Sequence, residues 1–279
     1  MEFGASIFFT DYSITPAELA VALEERGFDS VWAAEHSHIP VPRRTRADQE
    51  LGKRYYDVMD PFVTLTAAAC ATKKLKMATG IALVIQRDTI QTAKLVASID
   101  QITGGRFIFG IGGGWNQEEI ENHATVFRTR MQKMREQIEA MKAIWTMETP
   151  EYHGEIVKFD TIQSWPKPVQ RPHPPVILGG AFPWAARRAV RYGDGWYPNA
   201  ASGEPEDYIP AFRKMAAEAG RDPKSLSLRL GGAPDDADKL KRFRDLGVNA
   251  VNVTLMSEKR DAILPVLDHW AGHIRQINT

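Results

Sequence analysis

The segment Glu35-His36-Ser37-His38 sets a carboxylate and two imidazoles directly behind a short apolar run at 30–34. An imidazole changes charge near neutral pH, so a histidine there can pass a proton or orient a hydrogen bond, or it can serve packing alone. The H-x-H spacing of His36 and His38 can also chelate a divalent cation. Glu35 has two open roles, holding its neighbour's tautomer or being simply a solvated or salt-bridged carboxylate. Glycine carries a second kind of chemistry. In Gly104-Gly105-Arg106-Phe107-Ile108-Phe109-Gly110-Ile111-Gly112-Gly113-Gly114-Trp115 an apolar strand runs into consecutive glycines, where a ligand can touch main chain. The run is not a dinucleotide fingerprint, because Trp115 takes the last place of the G-x-G-x-x-G spacing and the motif sits in the fourth unit of the chain. Glu118 and Glu119 follow and satisfy the positive end of the next helix, which disfavours a phosphate at that terminus.

Three further stretches repeat the pattern. Thr79-Gly80-Ile81 places a glycine inside a strand, the mark of a bulge or a close ligand approach. Leu178-Gly179-Gly180-Ala181-Phe182-Pro183 leads into a helix whose early turns carry Arg187 and Arg188. Positive charge near a helix start is unfavourable unless an anion offsets it, so these arginines either hold an anion or point to solvent. Gly193-Asp194-Gly195-Trp196-Tyr197-Pro198-Asn199 sets aromatics among glycines, as core or as pocket wall.

The elements that must position these residues alternate along the whole chain. Short apolar runs at 4–9, 30–34, 76–82, 107–111, 176–178, 195–197, 227–230 and 250–254 are separated by helical patterns. Thr15-Pro16 and Asp60-Pro61 open helices with a cap and a proline, and Arg26-Gly27 closes one. About eight such units in one chain predict an α/β fold, a (β/α)8 TIM barrel spanning 1–279 as one domain, and not an open doubly wound sheet. In that fold the chemistry lies at the C-terminal strand ends, where all the motifs above fall. Two insertions interrupt the spacing, at 39–59 after strand two and at 117–175 after strand four. The second predicts a long helix at 130–147, a hairpin at 152–159 and a stiff proline-rich return through Pro166, Pro168, Pro172, Pro174 and Pro175.

Composition excludes several partners. Of 279 residues 43% are apolar, enough for a large core, and 35 Lys plus Arg balance 35 Asp plus Glu. That balance leaves no field for nucleic acid or an anionic membrane. No basic, apolar leader opens the chain and no apolar run is long enough to span a bilayer, so a cytoplasmic location is expected. The single cysteine, Cys70, in an alanine-rich run, is expected to be a buried structural thiol.

Taken together, Glu35-His36-Ser37-His38-Ile39-Pro40, the run from Gly104 through Trp115-Asn116, Ile177-Leu178-Gly179-Gly180 and Arg191-Tyr192-Gly193-Asp194-Gly195-Trp196 resemble the luciferase-like monooxygenase superfamily. Over essentially the whole chain the likeness is to its short F420-dependent oxidoreductase branch. The resemblance implies a barrel that binds coenzyme F420, or alternatively FMN, at its C-terminal face, acts on a small-molecule substrate, and forms a homodimer. It implies catalytic roles for His36, near the reactive edge of the ring, and for its neighbour Glu35. It implies cofactor contacts from His38, from the strand-three bulge Thr79, Gly80 and Ile81, from Gly112, Gly113, Gly114 and Trp115, and from Gly179, Gly180 and Ala181 beside the phosphate. In sugar-phosphate dehydrogenases of the superfamily an acidic residue follows the strand-four glycines; Trp115 stands there, which counts against glucose 6-phosphate. The basic residues Arg43, Arg44, Arg46, Lys53 and Arg54, set against Asp48, Glu50 and Asp57, either steer the acidic tail of F420 or form a solvated loop. Two rivals to an F420-dependent oxidoreductase stand: an FMN-dependent luciferase-like monooxygenase and, remotely, a metal-dependent hydrolase built on His36 and His38. For the latter no further ligands lie at the other strand ends, and no metal is expected.

Overall fold

The eight apolar runs pair in parallel and close on themselves. The computed structural model describes residues 1–43, 50–198 and 202–278. In chain order it contains β1 (Glu2–Ile7), α1 (Pro16–Glu25), β2 (Ser30–Ala33), α2 (Arg54–Asp57), α3 (Pro61–Cys70), β3 (Lys76–Thr79), α4 (Thr89–Thr103), β4 (Phe107–Ile111), α5 (Gln117–Asn122), α6 (Arg130–Thr146), β5 (Tyr152–His153), β6 (Lys158–Phe159), β7 (Val176–Gly179), α7 (Trp184–Tyr192), β8 (Gly195–Tyr197), α8 (Pro205–Glu218), β9 (Ser227–Gly231), α9 (Ala237–Asp245), β10 (Ala250–Thr254) and α10 (Arg260–Asn278). The strand order β1-β10-β9-β8-β7-β4-β3-β2 is a closed barrel, with β1 paired to both β2 and β10. This is the expected (β/α)8 TIM barrel. Its insertions follow the second and fourth barrel strands, and the second contains the expected hairpin, β5 against β6. None of the described helices is long and apolar enough to cross a membrane.

Local signals in the sequence act as read. Thr15 caps α1 through the Glu18 N–H at 3.3 Å, and Glu18 returns the bond to the Thr15 N–H, with Pro16 at the first turn. Asp60 caps α3 and Asp88 caps α4, and Gly104 ends α4 in the left-handed region at φ 63°. One expectation is overturned: Cys70 is exposed. Helix α3 buries Phe62, Leu65, Ala68 and Ala69, and Cys70, at its last position, falls off that stripe.

The bore is closed by Trp32. Its indole is fully buried, packs with Ala78, Ile108 and Ile177, and stacks on Tyr197 at 5.2 Å. Its Nε1–H donates to Ser30 Oγ at 2.9 Å. Space for the ring comes from glycines. A Cβ on Gly110 would lie 2.1 Å from the Thr79 carbonyl oxygen and 3.0 Å from the indole, and one on Gly80 would lie 2.9 Å from Trp32 Cβ. The third strand therefore stops at Thr79 instead of running to 82. The Gly80–Ile81 peptide is cis, and Ala82 rejoins the sheet by a single bridge to Ile111.

At the opposite end of the barrel, the turn after α3 is held from both sides. Arg106 donates to the carbonyls of Ala69, Thr72 and Leu75, countering the negative helix end. Glu24 accepts the N–H groups of Lys73, Lys74 and Leu75, the last two at 2.7 and 2.8 Å. Burial pushes the Glu24 carboxyl up, but these backbone donors outweigh it and hold the group below its ordinary value of 4.5.

Two outcomes are expected. Glu24→Gln should lower stability to urea by about 1–2 kcal/mol at neutral pH, since the partners are partly solvated. Because the folded carboxyl titrates below the unfolded one, its contribution is complete above 4.5 and is lost as pH falls through the folded value. The gap between wild type and variant should therefore close in acid, and a gap constant with pH would contradict the assignment. Gly110→Ala should cost about 3 kcal/mol or more, because a backbone oxygen blocks its Cβ; unchanged urea unfolding would show that the bore can relax.

Candidate active site

The backbone leaving β2 carries Glu35, His36 and Ser37 to the C-terminal mouth of the barrel, and their side chains go to three different partners. Of the two roles open to Glu35, the structure contains the ion pair. Its Oε1 accepts from Arg87 Nε at 2.7 Å, its Oε2 accepts the Leu83 N–H at 2.6 Å, and Arg87 also reaches Asp60. Burial pushes the Glu35 carboxyl up, and the guanidinium and backbone donor oppose that push. The carboxylate that holds the histidine is instead Glu119. His36 Nδ1 lies 2.8 Å from Glu119 Oε2, and the Ser37 N–H donates to Oε1 at 3.1 Å. Both side chains are deeply buried, at 8% and 1% exposure. The carboxylate thus sets Nδ1 as the protonated nitrogen and leaves Nε2 for a reacting group. The His36 ring sits edge-on to Trp115 at 5.8 Å and close to Tyr55 at 5.4 Å.

His38 takes another direction. Its Nδ1 meets Ser37 Oγ at 2.9 Å and its Nε2 meets Asn122 Nδ2 at 2.8 Å, in a recess formed with Ile39, Pro40, Val41 and Pro42. Ser37 Oγ also contacts His123 Nε2 at 2.7 Å. Burial, then the neighbouring His38, holds His123 below its ordinary value.

Beside the histidines lies a cavity of about 610 Å³ whose lining is mostly glycine. Gly80, Ile81, Gly112, Gly113, Gly114, Trp115, Gly179, Gly180 and Ala181 all face it, so nine of the expected residues converge on one space. Ile81 stands on the glycine floor. A Cβ on Gly112 would lie 1.8 Å from Ile81 Cδ1, and one on Gly179 would lie 3.0 Å from Ile81 Cγ2. Thr79 does not reach the cavity; it is fully buried below it and donates its hydroxyl to the Gly110 carbonyl at 2.7 Å. His38, Glu35 and His36 also lie outside this lining; the His36 ring meets Trp115, which does line the cavity, edge-on at 5.8 Å.

Sequence reasoning missed Met131, Pro198, Gly231 and Gly232 as cavity walls and Glu119 as the partner of His36. Of the two places open to the aromatics at 196–197, Tyr197 lines the cavity and Trp196 is core. Of the two arginines, Arg187 lies outward over the Trp184 ring at 5.0 Å, while Arg188 lines the cavity. Arg188 Nε is buried without a hydrogen-bond partner, and burial holds the guanidinium below its ordinary value. Behind Gly113, Arg130 Nε donates to the Gly113 carbonyl at 3.0 Å; burial, and then the Arg188 charge, lowers it also. Among the described residues neither arginine meets a carboxylate. In the basic loop, Arg43 lies 5.9 Å from the Trp115 ring centre and Lys53 pairs with Asp57. Arg44, Arg46, Asp48 and Asn199 lie outside the described residues.

Comparison with known proteins bears on family and fold. A model of the family described as luciferase-like monooxygenase matches residues 15–235. An uncharacterized protein of Mycobacterium tuberculosis is 39% identical over 286 aligned residues, covering 98% of this chain and 99% of its own. An F420-dependent hydroxymycolic acid dehydrogenase of the same organism is 28% identical over 225 residues, 80% of this chain and 58% of its own length. An FMNH2-dependent dimethylsulfone monooxygenase of Pseudomonas putida is 35% identical over 141 residues, 50% of this chain and 39% of its own. Among solved structures, a monooxygenase from Streptomyces bottropensis superposes with a TM-score of 0.80 at 18% identity, covering 100% of both chains. An F420-dependent secondary alcohol dehydrogenase, solved with an F420–acetone adduct, gives 0.77 at 19% identity, covering 99% of this chain and 98% of its own. With its barrel closed and its glycines gathered at the C-terminal mouth, the chain belongs to the luciferase-like monooxygenase family.

Proposed function

We propose that the protein is an F420-dependent oxidoreductase, transferring a hydride between the deazaflavin and a small organic substrate, and that it works as a homodimer. The observation that carries the reading is Arg188, a cation with an unpartnered buried Nε at one side of a glycine-floored cavity. A flat ring system needs backbone without side chains beneath it, and a phosphate needs an unpaired guanidinium and free amides. The glycines that line the cavity serve the first need, and Arg188, with its unpartnered Nε, serves the second as the guanidinium; the Gly180 N–H is already given to the Tyr197 carbonyl at 3.1 Å. Support for F420 over FMN comes from the relatives: the F420-dependent dehydrogenase matches 80% of the chain, and the FMNH2-dependent enzyme 50%.

When bound, the deazaflavin supplies the hydride donor or acceptor. The chain's own residues position and handle the proton. Ile81 and Trp115 line the cavity and would hold the ring, Ile81 as a brace and Trp115 as an apolar wall. His36, with Nδ1 tied to Glu119, presents Nε2 to a substrate oxygen, giving or taking the proton that accompanies hydride transfer. Glu35 contributes by fixing Arg87 and the 83–87 segment, which holds the backbone beside His36 in place. An FMN-dependent monooxygenase is the second reading, supported by the 35% identity to the FMNH2-dependent enzyme over half of this chain.

Fluorescence titration of the apoprotein with F420 and with FMN should show tight F420 and weak FMN binding. The reverse moves the protein to the monooxygenase reading, and binding of neither refutes both. Arg188→Gln should weaken F420 about 10- to 100-fold by removing one charge-assisted contact. Glu119→Gln should leave F420 affinity within about threefold but lower turnover of reduced F420 with a carbonyl acceptor about 10²-fold or more. It should also shift the pH profile, while equal loss in binding and turnover would assign Glu119 to architecture alone.

A further inference from the structure

We propose that Asp235, His269 and His273 form a binding site for a divalent transition metal, on the outer face of the barrel where α10 meets the loop between β9 and α9. The site lies outside the glycine-floored cavity and does not rest on the identity of its cofactor. His269 and His273 stand one turn apart on α10, so their rings project from one face of the helix. Both turn inward to the same atom: each Nε2 lies 2.7 Å from Asp235 Oδ1. The three ligand atoms fall within 4.8 Å of one another, and theirs is the group among the described residues with this geometry. His36 and His38 point to different partners and form no such group.

Two imidazoles and one carboxylate are a borderline ligand set that suits zinc, nickel or copper over calcium or magnesium. Bonds of about 2.0–2.2 Å at tetrahedral angles place ligand atoms about 3.3 Å apart. The carboxylate oxygen must therefore draw back slightly from each ring. It can do so, because the Asp235 side chain is 62% exposed and that of His269 55%. The same openness leaves room for water at the remaining position. One feature sets the strength. His273 Nδ1 is buried without a partner, and a metal on Nε2 would place the ring's proton there, with no acceptor to receive it. The lack of that outer partner weakens a site about 10- to 100-fold, so micromolar affinity is expected, not the tighter binding of a closed structural centre.

The location suggests what the metal does. Gly231 and Gly232 form the far wall of the cavity, and Asp235 follows three residues later, just before Asp236 caps α9. A metal at Asp235 ties this wall to α10 at the C-terminal end of the described chain. The site acts as a clasp on the cavity wall.

The test uses full-length protein without an affinity tag, stripped with chelator and titrated calorimetrically with Zn²⁺. Wild type should bind one equivalent and gain thermal stability. His269→Gln and Asp235→Asn should each weaken binding at least tenfold and lose the Zn²⁺-dependent rise in Tm. Both residues are mostly exposed, so the metal-free variants should melt as wild type does; if one does not, the other reads the same ligand set. Failure of wild type to bind Zn²⁺, or undiminished binding by both variants, overturns the proposal.

Discussion

Everything at the mouth of this barrel rests on the way one indole fills the bore. Trp32 occupies the space where barrel strands would otherwise interleave several side chains, and its neighbours yield to it. Gly110 and Gly80 carry no Cβ because the ring and the adjacent backbone already occupy that volume. The third strand cannot continue past Thr79, so the chain turns through Gly80 and lifts Ile81 onto the ends of β4 and β7. There Ile81 finds Gly112 and Gly179, which leave its side chain room. The cavity floor is thus a consequence of core packing, and the glycines at the ends of three strands answer to one packing constraint.

Above that floor the electrostatics divide. On one side a buried carboxylate, Glu119, fixes the tautomer of His36 and the backbone of Ser37 together. On the other, Arg188 and Arg130 bring positive charge that no carboxylate among the described residues neutralises. A buried cation left unpaired is costly, and sites that hold anions are where folds sustain that cost. Trp115 touches both regions, edge-on to the imidazole and facing the cavity, so an apolar ring adjoins the buried carboxylate–imidazole pair on one side and the cavity on the other.

The insertions serve this division. Helix α5 supplies Glu119, and α6 supplies Arg130 and Met131, so the segment after β4 furnishes both the carboxylate that holds His36 and part of the cavity wall. Lys133, from α6, donates to the Ile85 carbonyl at 2.9 Å and so links this insertion to the loop after β3. The core barrel brings the glycines, and the insertion brings much of the charge.

The sequence by itself determined the eight strand and helix units, their closure into a barrel, the two insertions, and the glycine clusters that would meet at one face. Those features are local: a cap, a proline, a periodicity or a glycine run acts within a few residues of itself. Tertiary structure alone decided the partners. Glu35 and Glu119 are both acids near His36's reach on paper, yet only the fold brings Glu119 across 83 residues to Nδ1 and sends Glu35 to Arg87. Arg187 and Arg188 are adjacent and identical in type, and helix phase turns one outward and the other into the cavity. The exposure of Cys70 and the meeting of Asp235 with two histidines of α10 were hidden for the same reason. Side-chain direction depends on helix phase and on which elements pack together, and neither is written in the spacing of any one segment.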